Sequence, residues 1–293
     1  MATIRIENLS KTYPNGVQAL VNVSLEIKNG MFGLLGPNGA GKSSLMRTLA
    51  TLQEADSGTV MLDDIDMLNQ PIEVRKLLGY LPQEFGVYPR VTAEQLLDHV
   101  AILKGIASGK ERKELVKFLL QKVNLYDKRN KSVKGFSGGM KQRVGIAQAL
   151  IGNPKLIIVD EPTAGLDPGE RNRFHNLLAD VGEEVIVILS THIVEDVREL
   201  CSEMAIMNLG RIVYKGSPFT VIDELRGKVW AKLVEREELD SLKASMDVIS
   251  DKMVAGRPQI HVLSDSSPGA GFNSVEPNLE DVFFVKINQP ETV

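Results

Sequence analysis

A run of small residues closed by a lysine and two hydroxyls, Gly36-Pro37-Asn38-Gly39-Ala40-Gly41-Lys42-Ser43-Ser44, carries the most chemical content of any segment in this sequence. It fits the pattern G-x-x-x-x-G-K-[ST]. Small residues let backbone N–H groups converge on phosphate oxygens, and a helix starting at the lysine adds its positive N-terminal end. In such a cradle Lys42 reaches the β- and γ-phosphates, and the Ser43 hydroxyl is placed for Mg²⁺. A glycine-rich turn with an accidental Lys-Ser is the other reading, and the flanks weigh against it. Met31–Leu35 is a short apolar run, and Leu45, Met46, Leu49 and Leu52 then recur at helical spacing, so the order is strand, loop, helix.

Two further segments have the right chemistry to complete such a site. Leu156–Val159 is an apolar run ending in Asp160 and Glu161. A buried strand delivering two carboxylates suits one that holds Mg²⁺ through its water shell (Asp160) and one that polarises an attacking water (Glu161). Phe136-Ser137-Gly138-Gly139-Met140-Lys141-Gln142-Arg143 places a hydroxyl and free N–H groups ahead of a helix, a second phosphate-binding edge. Taken singly, the first is also an ordinary strand meeting solvent, and the second a loop with a helix cap.

The elements that must position these residues follow from periodicity. Residues 3–29 read as short strands with turns at Pro14-Asn15-Gly16 and Asn29-Gly30. Residues 92–134 read as mostly helical. Thr92 and Gln95 make a capping box, Leu96, Leu97, Val100 and Leu103 share one face, and a second helix runs through Leu115, Phe118, Leu119 and Val123. Leu156–Val159 and Val185–Leu189 read as buried parallel strands with crossover helices. Beyond about residue 221, Trp230–Val234, Lys252–Val254 and Ile260–Leu263 read as strands, with a helix near Glu237–Met246 and a loop over Ser264–Gly271.

Bulk properties narrow the classes. A net charge of −4 with no dense Lys/Arg tract argues against a nucleic-acid surface. The single cysteine, Cys201, excludes an internal disulfide and reads as a buried, idle thiol. The opening MATIRIENLS lacks a secretory layout, and the longest apolar runs are too short to cross a bilayer. Work at a membrane would require a partner that supplies the spanning helices.

Together these motifs resemble the ABC (ATP-binding cassette) ATPases. The loop at 36–43, the Ser-Gly-Gly element and the Asp-Glu strand match the family's three hallmark motifs, and four subsidiary elements follow in family order. Tyr13 matches the aromatic that stacks on adenine. Gln83, in Gly79-Tyr80-Leu81-Pro82-Gln83, matches the glutamine that contacts Mg²⁺ and senses the membrane partner. Asp167, in Ala164-Gly165-Leu166-Asp167, matches the loop that communicates across a dimer, and His192, in Ser190-Thr191-His192, the histidine that bonds the γ-phosphate. Alone, each has a plain alternative: a hairpin aromatic, a surface amide, a helix cap before Pro168, a satisfied interior histidine. Phe136 stands where the family most often has leucine, Met140 where many members have glutamine, and Ser44 where threonine is frequent.

The resemblance implies a phosphate-loop α/β core with an antiparallel β subdomain, a helical subdomain over about 84–150, and a nucleotide-binding domain over 1–220. A small α+β appendage would occupy 221–293. It implies ATP and Mg²⁺ at the site, with Glu161, His192 and Lys42 catalytic. It further implies a head-to-tail partnership with a second ATP-binding subunit, like or closely related, and a separate transmembrane permease at the cytoplasmic face of the membrane. The segment Glu276-Pro277-Asn278-Leu279-Glu280-Asp281-Val282-Phe283-Phe284, with Gly216-Ser217-Pro218 and Lys228-Val229-Trp230, resembles ATPases of ABC-2-type exporters. A C-terminal amphipathic helix packing its own domain on Leu279, Val282 and Phe283 is the alternative for that segment. Two competing functions are a soluble ABC ATPase acting on ribosomes or nucleic acid, and a GTPase or kinase. No second cassette, coiled-coil insertion or Asn-Lys-x-Asp segment supports either.

Overall fold

The computed structural model describes residues 2–83, 86 and 90–288. Residue 1, residues 84, 85 and 87–89 of the expected helical subdomain, and residues 289–293 of the expected appendage lie outside the described residues. Strands β1 (Thr3–Thr12), β2 (Gln18–Lys28), β4 (Ser57–Leu62) and β5 (Ile65–Asp66) form an antiparallel sheet ordered β2-β1-β4-β5. The second sheet contains β3 (Gly30–Leu35), β6 (Leu78–Leu81), β7 (Leu156–Asp160), β8 (Ile186–Thr191), β9 (Glu203–Asn208) and β10 (Arg211–Gly216). Its order is β10-β9-β3-β8-β7-β6, parallel from β9 to β6, with β10 antiparallel at the edge.

Every residue of β7 and β8 is buried, as strands covered on both faces require. The side chains divide with period two. Ile158 and Ile188 join Ile4, Ile6 and Val60 of the antiparallel sheet and Leu45 and Leu49 of α1 (Lys42–Leu49) in one apolar cluster. Ile157, Val159 and Leu189 join a second cluster on the opposite face. That cluster includes Val144 of α5 (Gly138–Ala149), Phe174 and Leu178 of α6 (Pro168–Gly182) and Val197 of α7 (Val194–Leu200). Each such side chain withdrawn from water stabilises by about 1.5–3 kcal/mol, so the central sheet is a stiff platform for whatever leaves its strand ends.

Short α2 (Pro71–Leu77) leads into β6, and α3 (Ala93–Leu103) and α4 (Gly109–Lys122) form the helical region. The expected capping box is present. The Thr92 hydroxyl accepts the Gln95 N–H at 3.2 Å, and the Gln95 side chain accepts the Thr92 N–H at 3.0 Å. The expected apolar faces are corrected at two positions. Ala93, Leu97 and Ala101 form the buried stripe of α3 while Leu103 is 73% exposed, and Phe118 of α4 is 59% exposed. Small alanines let α3 lie close to its neighbours, which turns the bulkier Leu103 outward.

Past α8 (Pro218–Glu224), a third sheet, ordered β12-β13-β11-β14, comprises β11 (Val229–Leu233), β12 (Val248–Val254), β13 (Arg257–Leu263) and β14 (Asn273–Ser274). Together with α9 (Leu239–Ser245) it encloses a small core of Val234, Ile260, Val262 and Phe272. The final helix α10 (Leu279–Asn288) buries Leu279, Val282 and Phe283, the face expected of it. Those side chains belong to the same cluster as Val197 and Val221, so α10 packs back onto the cassette through α7 and α8. The Asn278 side chain caps it, accepting N–H bonds from Glu280 at 2.8 Å and Asp281 at 3.0 Å.

Candidate nucleotide-binding site

The carboxyl ends of β3, β7 and β8 lie side by side, with β8 between the other two. In open α/β sheets that edge is where ligands bind. The loop after β3 wraps into α1 through Gly41, whose φ of +107° is a left-handed conformation, and a Cβ there would collide with the Ala19 carbonyl. Only glycine fits. The loop lines a cleft of about 480 Å³ that includes Asn38–Ser44, Tyr13, Val17, Ala19, Gln83 and Glu161. A larger cleft of about 570 Å³ near Leu52 has Arg75 as its single cation, and Arg75 is engaged with the hydroxyl and carbonyl of Thr51.

Lys42 is buried and donates to the Gly36 carbonyl at 2.7 Å and the Pro37 carbonyl at 3.1 Å. Burial pushes its ammonium down from the usual lysine range, and the charges of Glu161 and Asp160 oppose that. Glu161 Oε1 lies 3.9 Å from Lys42 Nζ, and Glu161 Oε2 accepts from Gln83 Nε2 at 3.3 Å and lies 3.2 Å from His192 Nδ1. Residues from three other parts of the chain therefore meet on the Glu161 carboxylate. Glu161 has φ +48° directly ahead of Pro162, a conformation that costs about 1–3 kcal/mol unless its surroundings hold it. Its N–H donates to the Ser190 carbonyl at 2.8 Å.

Asp160 ends β7 buried, with no well-formed hydrogen bond at its Oδ1; the buried Ser190 hydroxyl beside it is close enough to favour the charged carboxylate, though burial outweighs it. Burial pushes the Asp160 carboxyl above the usual carboxylate range, with the Glu161 charge adding to it. The Asp160 carboxylate, with the Ser43 hydroxyl and the Gln83 amide oxygen that line the cleft beside Glu161, offers an all-oxygen donor set suited to a hard cation. Among the described residues no cluster of three or more His, Cys, Asp and Glu side chains forms a metal cage.

Tyr13 lines the cleft with its hydroxyl bonded to Gln53 Oε1 at 2.7 Å and within 3.0 Å of Ser44 Oγ. Ser137, Gly138 and Gly139 are not among the cleft's lining residues. Ser137 caps α5, its hydroxyl accepting the Met140 N–H at 3.2 Å. Gly139 sits against the Glu170 side chain, which would have to shift to admit a Cβ. Asp167 caps α6, accepting the Glu170 N–H at 2.9 Å. His192 borders a separate cleft of about 430 Å³ with Asn278 and Glu280. Cys201 is buried, and burial pushes its thiol up, so it is inert. Sequence reasoning missed Val17 and Ala19 in the cleft wall, and the buried group of Thr163, Asp196, Arg171 and His175 behind Glu161.

The sheet topology, the glycine-cornered loop entering α1 and the strand-end carboxylates define a phosphate-loop nucleotide-binding protein. The family model described as ABC transporter matches residues 20–164. The chain is 38% identical over 214 residues to the uncharacterized ABC transporter ATP-binding protein YxlF of Bacillus subtilis, covering 73% of this chain and 70% of that protein. It is 30% identical over 299 residues to the probable multidrug ABC transporter ATP-binding protein YbhF of Escherichia coli, covering 96% of this chain but spanning only 51% of that one. It is also 37% identical over 223 residues to the methionine import ATP-binding protein MetN of Helicobacter hepaticus, covering 73% of this chain and 63% of MetN. Among solved structures, the ATP-binding cassette MJ0796, a dimer bound to ADP and Pi, superposes with a TM-score of 0.67 at 29% identity. That match covers 73% of this chain and 98% of the cassette. The chain belongs to the ABC transporter family as an ATP-binding protein, and it is an ABC ATPase.

Proposed function

We propose that this chain energises an exporter by closing on ATP as one half of a dimer and opening after hydrolysis. The observation that carries the reading is the meeting of Lys42, Gln83 and His192 on the Glu161 carboxylate, while Ser137–Gly139 stands apart from that cleft. A cassette whose second phosphate-binding edge lies outside its own phosphate-loop cleft would be completed by another subunit placed head to tail. ATP would lie between the loop Gly36–Ser44 of one subunit and Ser137–Gly139 of the other, with Tyr13 against the base and Asp167 at the dimer seam. Lys42 would hold the β- and γ-phosphates, Glu161 would orient and deprotonate the attacking water, and His192 would bond the γ-phosphate. Mg²⁺, held by Ser43, Gln83 and Asp160, would neutralise charge on the phosphates.

No helix among the described residues is long and apolar enough to span a membrane. We therefore assign transport to a separate permease, contacted through Gln83 and the helical segment after it, with this chain peripheral at the cytoplasmic face. We take residues 1–220 as the nucleotide-binding domain, with α3, α4 and α5 in its helical subdomain, and residues 221–293 as the appendage. Export is favoured because the match to the multidrug relative runs through the appendage, covering 96% of the chain, whereas the match to the importer covers 73%. The test is Glu161→Gln in the purified full chain. Turnover should fall by roughly 10²–10⁴-fold, ATP binding should persist, and an ATP-bound dimer should accumulate on size exclusion. Near-normal turnover would remove Glu161 as the base.

A further inference from the structure

The strained Glu161 is held from two sides. On one, its own N–H bonds Ser190. On the other, two residues along, the Thr163 hydroxyl donates to Asp196 Oδ2, a carboxylate with no exposed surface. The same oxygen accepts from the Thr191 hydroxyl at 3.4 Å. Thr191 Oγ1 in turn accepts the Ile193 N–H at 2.9 Å and so fixes the turn that presents His192. One carboxylate oxygen thus grips the chain just after Glu161 and just before His192.

The other oxygen is committed to holding Asp196 in place. Oδ1 accepts from Arg171 Nε at 2.8 Å, with Nη2 at 2.7 Å, and pairs with His175 Nε2 at 3.0 Å. His175 is anchored from its far side by Glu199, 2.8 Å from Nδ1. Two helices, α6 and α7, therefore clamp the carboxylate, and none of these groups lines the nucleotide cleft. Burying an aspartate this completely is unfavourable unless every lone pair is used. Here the bonds left over after Arg171 and His175 go to the two threonines that flank the reacting side chains.

We propose that Asp196 is a positioning residue, which through Thr163 and Thr191 sets the 3.2 Å approach of Glu161 and His192. The proposal rests on the assignment of Glu161 as the base. A small drift of either side chain would misalign the attacking water without touching the phosphate loop, so turnover and nucleotide affinity separate.

The experiment compares Thr163→Val, which removes the hydroxyl at constant volume, with Thr163→Ser, which keeps it, and with Asp196→Asn. All are measured in the full chain below their thermal transitions. Thr163→Val and Asp196→Asn should lower kcat roughly ten- to hundredfold with KM for ATP within about twofold, and Thr163→Ser should restore most of the rate. Introduced into Glu161→Gln, Thr163→Val should change the residual rate less than about twofold, because both act on one step. Wild-type kcat in a folded Thr163→Val, beside an inactive Glu161→Gln, would overturn this proposal alone. Losses that multiply in the double variant would overturn it too. Normal turnover in Glu161→Gln would overturn the Glu161 assignment and this proposal with it.

Discussion

Two buried histidine–aspartate pairs stand in different parts of this molecule, His175–Asp196 between α6 and α7 and His261–Asp281 between β13 and α10. Their chemistry is close to identical, with ring nitrogen to carboxylate distances of 3.0 Å and 2.7 Å and both aspartates almost fully buried. Their surroundings are not. Asp196 spends its second oxygen on Thr163 and Thr191, beside the reacting carboxylate. Asp281 uses its second oxygen on the N–H of Asn278, at the start of its own helix, at 3.0 Å. The first pair passes a constraint to strand-end residues, and the second fastens the appendage sheet to a helix packed on the cassette. The role of a buried histidine–aspartate pair follows from which elements it joins.

The largest contrast is expected on deleting each carboxylate. Asp196→Ala takes the buried carboxylate from half-buried Arg171 and leaves buried His175 with Glu199 alone, so stability should fall by about 3 kcal/mol, and turnover should fall with it. Asp281→Ala should destabilise by about 1–3 kcal/mol, with kcat per folded molecule within about twofold of wild type. Urea unfolding and ATPase rates below both transitions measure the two effects separately. If Asp281→Ala lowers kcat as far as Asp196→Ala, the two pairs do not differ as described. A smaller effect is expected from Asn278→Ala, which removes the α10 cap at a cost of about 0.5–2 kcal/mol. It should leave turnover unchanged.

The same contrast explains what could be read from the sequence. The phosphate loop was legible because its residue types are themselves geometric requirements: Gly41 must take φ +107° against the Ala19 carbonyl, and nothing larger fits. Asp160 and Glu161 were legible because an all-apolar strand can only deliver carboxylates at its end. The Thr92–Gln95 cap was legible because its bonds are local. Asp196 was not. It sits in Glu195-Asp196-Val197-Arg198-Glu199, which reads as a solvated helix face, and its partner Thr163 is 33 residues away. Likewise nothing in the strand pattern around His261 announces a bond to Asp281, 20 residues on. Leu103 misled because periodicity marks a stripe of large apolar residues, while close helix packing selected alanines. Pairings distant in sequence and dependent on tertiary contact leave no periodic trace.

The smallest effect tests whether the His175 pair is ionised. Burial opposes the imidazolium, but the bonds and charges of Asp196 and Glu199 outweigh it and hold the ring above the ordinary histidine value of 6.5. Burial likewise opposes ionisation of Asp196, and the bonds from His175 and Thr163 with the Arg171 charge hold its carboxyl below the ordinary 3.8. The signs are opposite. The His175 contribution is fully present below pH 6.5 and is lost as pH rises through its elevated value. The Asp196 contribution is present above pH 3.8 and is lost as pH falls through its depressed value. Cys201, which also feels the Asp196 charge, stays a neutral thiol because burial pushes it up. Raising the pH from about 6 through the elevated His175 value should therefore lower both stability and Tm. His175→Gln should lack that component, so the Tm difference between wild type and variant should shrink as the pH climbs. A difference that stays constant across the range would show that the ring between Asp196 and Glu199 carries no proton to lose.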